Sequence, residues 1–116
     1  GTSYELTNDF DSVIPKADAI YMTRIQDEWD SEPGESAKID ISDYYFEASD
    51  LKHLKINAVI MHPLPRREEI STEVDSDPRA VYWRQVRNGM WIRVALIASI
   101  FGMDDEIRKY YALNLQ

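Results

Sequence analysis

Cysteine does not occur among the 116 residues, histidine occurs only as His53 and His62, and glycine only four times. The first absence excludes disulfides, thiolate metal sites and cysteine nucleophiles. It also fits a reducing cytosol, so a cytoplasmic location is expected. Two histidines are too few for a convincing zinc site, so no metal is expected, and no cofactor is called for. Positive charge is short as well: 13 Lys and Arg stand against 21 Asp and Glu, a formal net charge of −8. Nucleic acid and anionic membranes both attract excess positive charge, so neither is an expected partner. No apolar run approaches the roughly 20 residues that span a bilayer, and no secretory pattern opens the chain. Gly-rich phosphate loops, nucleophile-plus-base pairs and paired carboxylates are likewise missing from the pattern.

What remains has the composition of one small globular domain, 44% hydrophobic and 29% charged, with a modest core. Residues 4–6 read as a short strand, and 8–17 as a helix capped by Asn8 or Asp9. Residues 18–25, "DAIYMTRI", read as a buried strand. The acidic stretch 26–38, with Pro33 and Gly34, reads as a mobile loop because it offers little apolar surface to bury. "ISDYYF" is ambiguous, and 48–55 reads as a helix with Ser49 at its N-cap. Residues 57–63 then form a central strand and 71–77 a connecting loop. A long helix is expected over 77–102, with Asp77 as N-cap, Pro78 in the first helical position and Gly102 as terminator. A last helical segment covers 104–115.

Strands alternating with helices predict an α/β fold: a three-layer, partial doubly wound parallel sheet of about three strands with a long C-terminal helix. So thin a sheet suggests a single partial domain over residues 1–116. The second half of the long helix is apolar nearly all round, from Met90 through Ile92, Leu96 and Ile97 to Phe101. Such a helix must be covered on more than one face, so association through residues 79–101 is expected.

In open parallel sheets, ligands bind outside the carboxyl ends of the strands. The first long strand ends in Thr23, Arg24 and Gln26. Arg24 and Gln26 are two apart and point the same way in an extended chain, an arrangement suited to a substrate carboxylate. The plainer reading is an Arg24 ion pair with an acid of the following loop. The central strand ends in "HPLPR", His62 to Arg66. Pro63 and Pro65 remove backbone donors, leaving carbonyls near Leu64 outside any regular ladder, and Leu64–Pro65 is a candidate cis bond. Here the plainer reading is a rigid turn that only ends the strand. No acid is evident to orient His62, "RREE" reads as a solvated turn, and Tyr44, Tyr45, Tyr82, Trp83 and Trp91 read as core or domain-contact residues.

"YMTRIQDE", "ASDL", "VIMHPLPRREEI" and "EVDSDPRAVYWRQVRNGMWIRVALI" occur in an order and spacing that resembles aspartate carbamoyltransferase along nearly the whole chain. The likeness is to the C-terminal part of the catalytic chain, within the aspartate-binding domain. It implies carbamoyl transfer from carbamoyl phosphate to the amino group of L-aspartate, early in pyrimidine synthesis. The sister ornithine family normally carries a cysteine where this chain has Pro63. The resemblance implies that Arg24 binds a carboxylate of aspartate and Gln26 orients the amino acid. It implies that Leu64 and Pro65 contact carbamoyl phosphate through carbonyls accepting from its NH₂ group. Thr23, His62, Pro63 and Arg66 would shape the site, with no residue transferring protons, and the loop at 27–38 would close over aspartate. That loop departs from the family in "WDSEPGES" and lacks a tyrosine at the usual place. The family's Ser-Thr-Arg-Thr phosphate motif and its serine–lysine loop are missing. The resemblance therefore implies a fragment or subunit that is inactive without a carbamoyl-phosphate domain or chain. A second reading, from the apolar helix and the missing phosphate site, is a non-catalytic self-associating or partner-binding module.

Overall fold

The structure is a computed structural model that describes residues 1–24, 26, 28, 30–38 and 44–114. Ile25 of the expected first strand, Asp27 and Trp29 of the acidic loop, residues 41–43 of the ambiguous stretch and Leu115 lie outside the described residues. The chain divides into two compact units, Gly1–Tyr82 and Trp83–Gln116.

In the first unit, Asp9 starts helix α1, Phe10–Val13, by accepting from the Ser12 N–H at 3.1 Å. Pro15 lies in the 3₁₀ turn Ile14–Lys16 that follows, so the expected single helix is a short α-turn tightened into 3₁₀ geometry,. Strands β1, Ala19–Tyr21, and β2, Val59–Met61, pair in parallel with Ile20 opposite Ile60. Ile60 is also bridged on its other side to Ala80, with its N–H bonded to the Arg79 carbonyl at 2.8 Å. The β2 strand is therefore central, as expected, but its second neighbour is not residues 4–6, which are irregular and exposed. A three-residue "YEL" offers too little burial to hold a strand there.

That bridge also explains where the long helix begins. Residues 79–81 are committed to pairing with Ile60, so α2 runs Tyr82–Ile100 and Asp77 does not cap it. Asp77 instead closes the 3₁₀ helix Thr72–Ser76, a segment expected as loop, and its carboxylate holds the Arg79 guanidinium. Arg79 reaches on to the carbonyls of Leu54 and Leu51 at 3.0 and 2.9 Å. It thereby satisfies carbonyls at the end of the 3₁₀ helix Ala48–Lys52,. At the start of that helix Ser49 is not the cap; Asp50 Oδ2 accepts from the Glu47 N–H at 2.7 Å. The core of this unit gathers Ile14, Phe46, Ile60, Ile70, Val74 and Tyr82, all essentially sealed from water. Each such side chain contributes about 1.5–3 kcal/mol by burial. Phe46 packs edge-on against Phe10 at 6.4 Å and bridges to Ile70, which ties residues 69–71 to the core.

In the second unit, α2 ends at Gly102 (φ +66°), where Met103 N–H bonds to the Ala98 carbonyl and Gly102 N–H to that of Ser99. This is a Schellman closure, and glycine tolerates its left-handed backbone without a Cβ penalty. Helix α3 follows over Asp104–Asn114. Trp91, Ile92, Ile97 and Ile100 on α2, and Phe101 just after it, are all more than half exposed. Among the described residues no helix is long and apolar enough to cross a membrane.

Candidate functional site

Parallel pairing sends both strand ends to the same edge of the sheet. Tyr21 is in register with Met61, and the Met22 N–H still bonds to the Met61 carbonyl at 3.0 Å. The segments holding Thr23, Arg24 and Gln26 and holding His62 to Arg66 therefore leave the sheet side by side. Two stretches some forty residues apart in sequence are brought together by register alone.

On the first segment Thr23 and Gln26 are exposed and Arg24 is largely covered. Arg24 makes a two-pronged pair with Glu28, Nη1 donating to Oε2 at 2.9 Å and Nη2 to Oε1. The plainer reading of Arg24 thus describes a contact that forms, and it displays the guanidinium in the fork geometry that receives a carboxylate. The Glu28 side chain is half exposed, so the pair is screened and contributes little to stability,.

The second segment is more closely constrained. The Leu64–Pro65 bond is cis, as the proline pattern anticipated, and Leu64 lies at φ +52°. A β-carbon in that left-handed region costs on the order of 1 kcal/mol and persists only where surroundings enforce it. The Leu64 N–H donates to His62 Nδ1 at 2.8 Å, and His62 Nε2 meets Glu69 Oε1 at 2.6 Å. His62 is fully buried and Glu69 nearly so. An acid does orient His62, contrary to expectation, and "RREE" is not wholly solvated. The sequence held no signal for this: the seven-residue separation becomes a contact only because the chain turns back after Pro65.

Arg66 serves a different cluster. Its guanidinium pairs with both Asp75 oxygens, Nη2 to Oδ2 at 2.7 Å, and its carbon lies 5.7 Å from the Tyr82 ring centre. Tyr82 donates its hydroxyl to Asp75 Oδ1 and accepts from Arg66 at 3.3 Å. The Asp75 hydrogen bond raises the Arg66 pKa, and the Arg66 hydrogen bond holds the Asp75 carboxyl below its ordinary range. Burial, reinforced by the Asp75 carboxylate, pushes Tyr82 from 10 up to about 12. Of the five aromatic residues singled out from sequence, only Tyr82 lies in the core; Tyr44, Trp83 and Trp91 are exposed.

The Tyr82 shift carries a sign. Its folded pKa is raised, so its contribution to stability is complete below pH 10 and is lost as pH climbs through about 12,. That loss is at most about 2–3 kcal/mol. Comparing urea midpoints near neutrality and at about pH 11, wild type should lose about half of this increment, roughly 1.4 kcal/mol, and Tyr82→Phe should not. An equal alkaline loss in both proteins would refute the assignment to Tyr82.

With this geometry in view, the comparisons with known proteins define the class first. A family model described as aspartate/ornithine carbamoyltransferase, Asp/Orn binding domain, matches residues 1–100, and the chain belongs to that family. Within it, several relatives are named as aspartate carbamoyltransferases. The chain is 44% identical over 100 residues to the aspartate carbamoyltransferase catalytic subunit of Vibrio cholerae, covering 86% of this chain and 32% of that one. It is 45% identical over 92 residues to the multifunctional protein URA2 of Saccharomyces cerevisiae, covering 79% of this chain and 4% of that one. Its structure is similar to Trypanosoma cruzi aspartate transcarbamoylase in complex with N-(phosphonacetyl)-L-aspartic acid. There the TM-score is 0.66 and the identity 40%, covering 75% of this chain and 27% of that one. The chain therefore spans about a third of the length of the bacterial catalytic subunit it matches.

Proposed function

We propose that residues 1–116 act as the C-terminal part of the aspartate-binding domain in an aspartate carbamoyltransferase, transferring the carbamoyl group of carbamoyl phosphate to L-aspartate. Arg24 takes a carboxylate of aspartate and Gln26 orients the amino acid. The Leu64 and Pro65 carbonyls accept from the carbamoyl NH₂, and Thr23, His62, Pro63 and Arg66 shape the site. The observation that carries this reading is the shared sheet edge from which the Arg24 and Leu64 segments both depart. The chemistry is one of approximation: the residues hold two reactants in line, and none need transfer a proton.

The phosphate remains unaccounted for. No Ser-Thr-Arg-Thr motif stands in the 116 residues, so transition-state charge lacks its main stabilising groups. Transfer therefore requires a carbamoyl-phosphate-binding portion, as a further domain or a separate chain. The isolated 116-residue chain should form no detectable carbamoyl-aspartate, and addition of that portion from a relative should restore formation. Product from the isolated chain would overturn the requirement; none after restoration would overturn the function.

A second reading is favoured by the exposed apolar side chains of α2. It makes the chain a self-associating module whose interface, expected over 79–101, would be the exposed face beyond Tyr82,. It predicts oligomers in sedimentation and no transfer after restoration, whereas the enzyme reading predicts transfer.

A further inference from the structure

We propose that Glu69 and His62 are positioning residues that act through the Leu64 backbone, fixing the turn that receives the carbamoyl group. The inference rests on the reading of Leu64 given above. Residues 63–65 are Pro-Leu-Pro, so the Leu64 N–H is the one backbone donor this turn possesses,. It donates to His62 Nδ1 at 2.8 Å. That bond requires a lone pair on Nδ1 and so places the proton of the neutral ring on Nε2, where it points at Glu69 Oε1, 2.6 Å away,. An ionised carboxylate can only accept, which selects this tautomer.

Glu69 is itself held on two sides. The Arg67 N–H donates to both of its carboxylate oxygens, at 3.1 and 3.3 Å. Its backbone carbonyl accepts from the N–H of Phe46 at 2.9 Å, and Phe46 is fully buried. A continuous run of hydrogen bonds thus leads from the core, through Glu69 and His62, to a leucine in left-handed conformation. His62 is sealed from solvent with both ring nitrogens engaged. It is therefore placed to orient the turn and not to touch a substrate.

Three substitutions separate this role from simple packing. Glu69→Leu removes the carboxylate that accepts from Nε2–H, and with it the group that fixes the ring tautomer and orientation behind the Leu64 bond. In His62→Asn the side-chain oxygen lies close to the place of Nδ1 and keeps the Leu64 bond. His62→Gln reaches toward Glu69 but gives that bond up. In the 116-residue chain, nitrogen NMR of the imidazole should show Nε2 protonated in wild type and loss of this single tautomer in Glu69→Leu. Exchange of the Leu64 amide should quicken roughly tenfold in Glu69→Leu and His62→Gln but not in His62→Asn. In the restored enzyme, kcat should fall by on the order of 10- to 100-fold in the same two variants. KM for aspartate should change little, and His62→Asn should retain most of the rate. Equal behaviour of His62→Asn and His62→Gln, or unchanged Leu64 exchange in Glu69→Leu, would overturn the proposal. Transfer by wild type with all three variants unaffected would overturn it while leaving the proposed function intact. No transfer by restored wild type would overturn that function, and the inference with it.

Discussion

Arg24→Ala is expected to lower kcat/KM for aspartate in the restored enzyme by on the order of 100-fold, which is about 2.7 kcal/mol of lost binding. The size follows from the group removed: a guanidinium gives a carboxylate two parallel charge-assisted hydrogen bonds, and alanine gives none. In the structure this fork is already engaged by Glu28, so it is presented in the orientation a carboxylate needs. Arg24→Lys keeps the charge but not the plane and should fall between the two. Because the Arg24–Glu28 pair is screened, folding stability should move by no more than about 1 kcal/mol. The check is steady-state kinetics varying aspartate, together with NMR titration of the 116-residue chain. Unchanged kinetics in Arg24→Ala would remove this residue from the proposed site.

Asp75→Ala should have the largest effect on folding, about 2–4 kcal/mol by urea denaturation followed by circular dichroism. One carboxylate here serves two donors, the Arg66 guanidinium and the Tyr82 hydroxyl. Deleting it removes the acceptor shared by the hydroxyl of a fully buried tyrosine and a mostly covered cation. Against the roughly 5–15 kcal/mol that holds ordinary domains folded, such a loss is severe. If the groups act as a unit, Asp75→Ala combined with Tyr82→Phe should cost less than the two singly added. Strict additivity, or a cost below about 1 kcal/mol, would show the cluster to be incidental. Its acid behaviour has the opposite sign to that of Tyr82. The Asp75 carboxyl is held below 3.8 by the Arg66 hydrogen bond. Its contribution is therefore complete above that pH and is lost only as pH falls through the lower folded value.

These clusters mark where reading along the chain stops being sufficient. Local signals survive well. Asp9 caps the first helix, Gly102 closes α2 in left-handed conformation, and Leu64–Pro65 is cis. Each depends on the chemistry of one or a few neighbouring residues, which is why a single sequence carries it. Boundaries set by distant partners do not survive. Asp77 and Pro78 form a convincing helix start, yet α2 begins at Tyr82 because Ile60 claims the Ala80 segment. Ser49 looks like a cap, but the Asp50 carboxylate takes the Glu47 N–H.

The candidate site divides along the same line. Residue types at strand ends, Arg24 with Gln26 and a leucine between two prolines, can be read from order and spacing, as can the family likeness they carry. Alternation of apolar segments is enough to determine a parallel α/β arrangement, because burial is dictated by pattern. The sequence by itself also determined the net charge and the lack of thiol chemistry. Only the tertiary structure decided that the two strand ends share an edge, that Glu28 engages Arg24, and that Glu69 reaches His62. It likewise decided that Arg66 is spent on Asp75 and Tyr82. Hydrogen bonds and ion pairs are short-ranged and directional, so their partners are chosen by where the backbone brings two groups within about 3 Å. That placement belongs to the whole fold and is written at no one position of the chain.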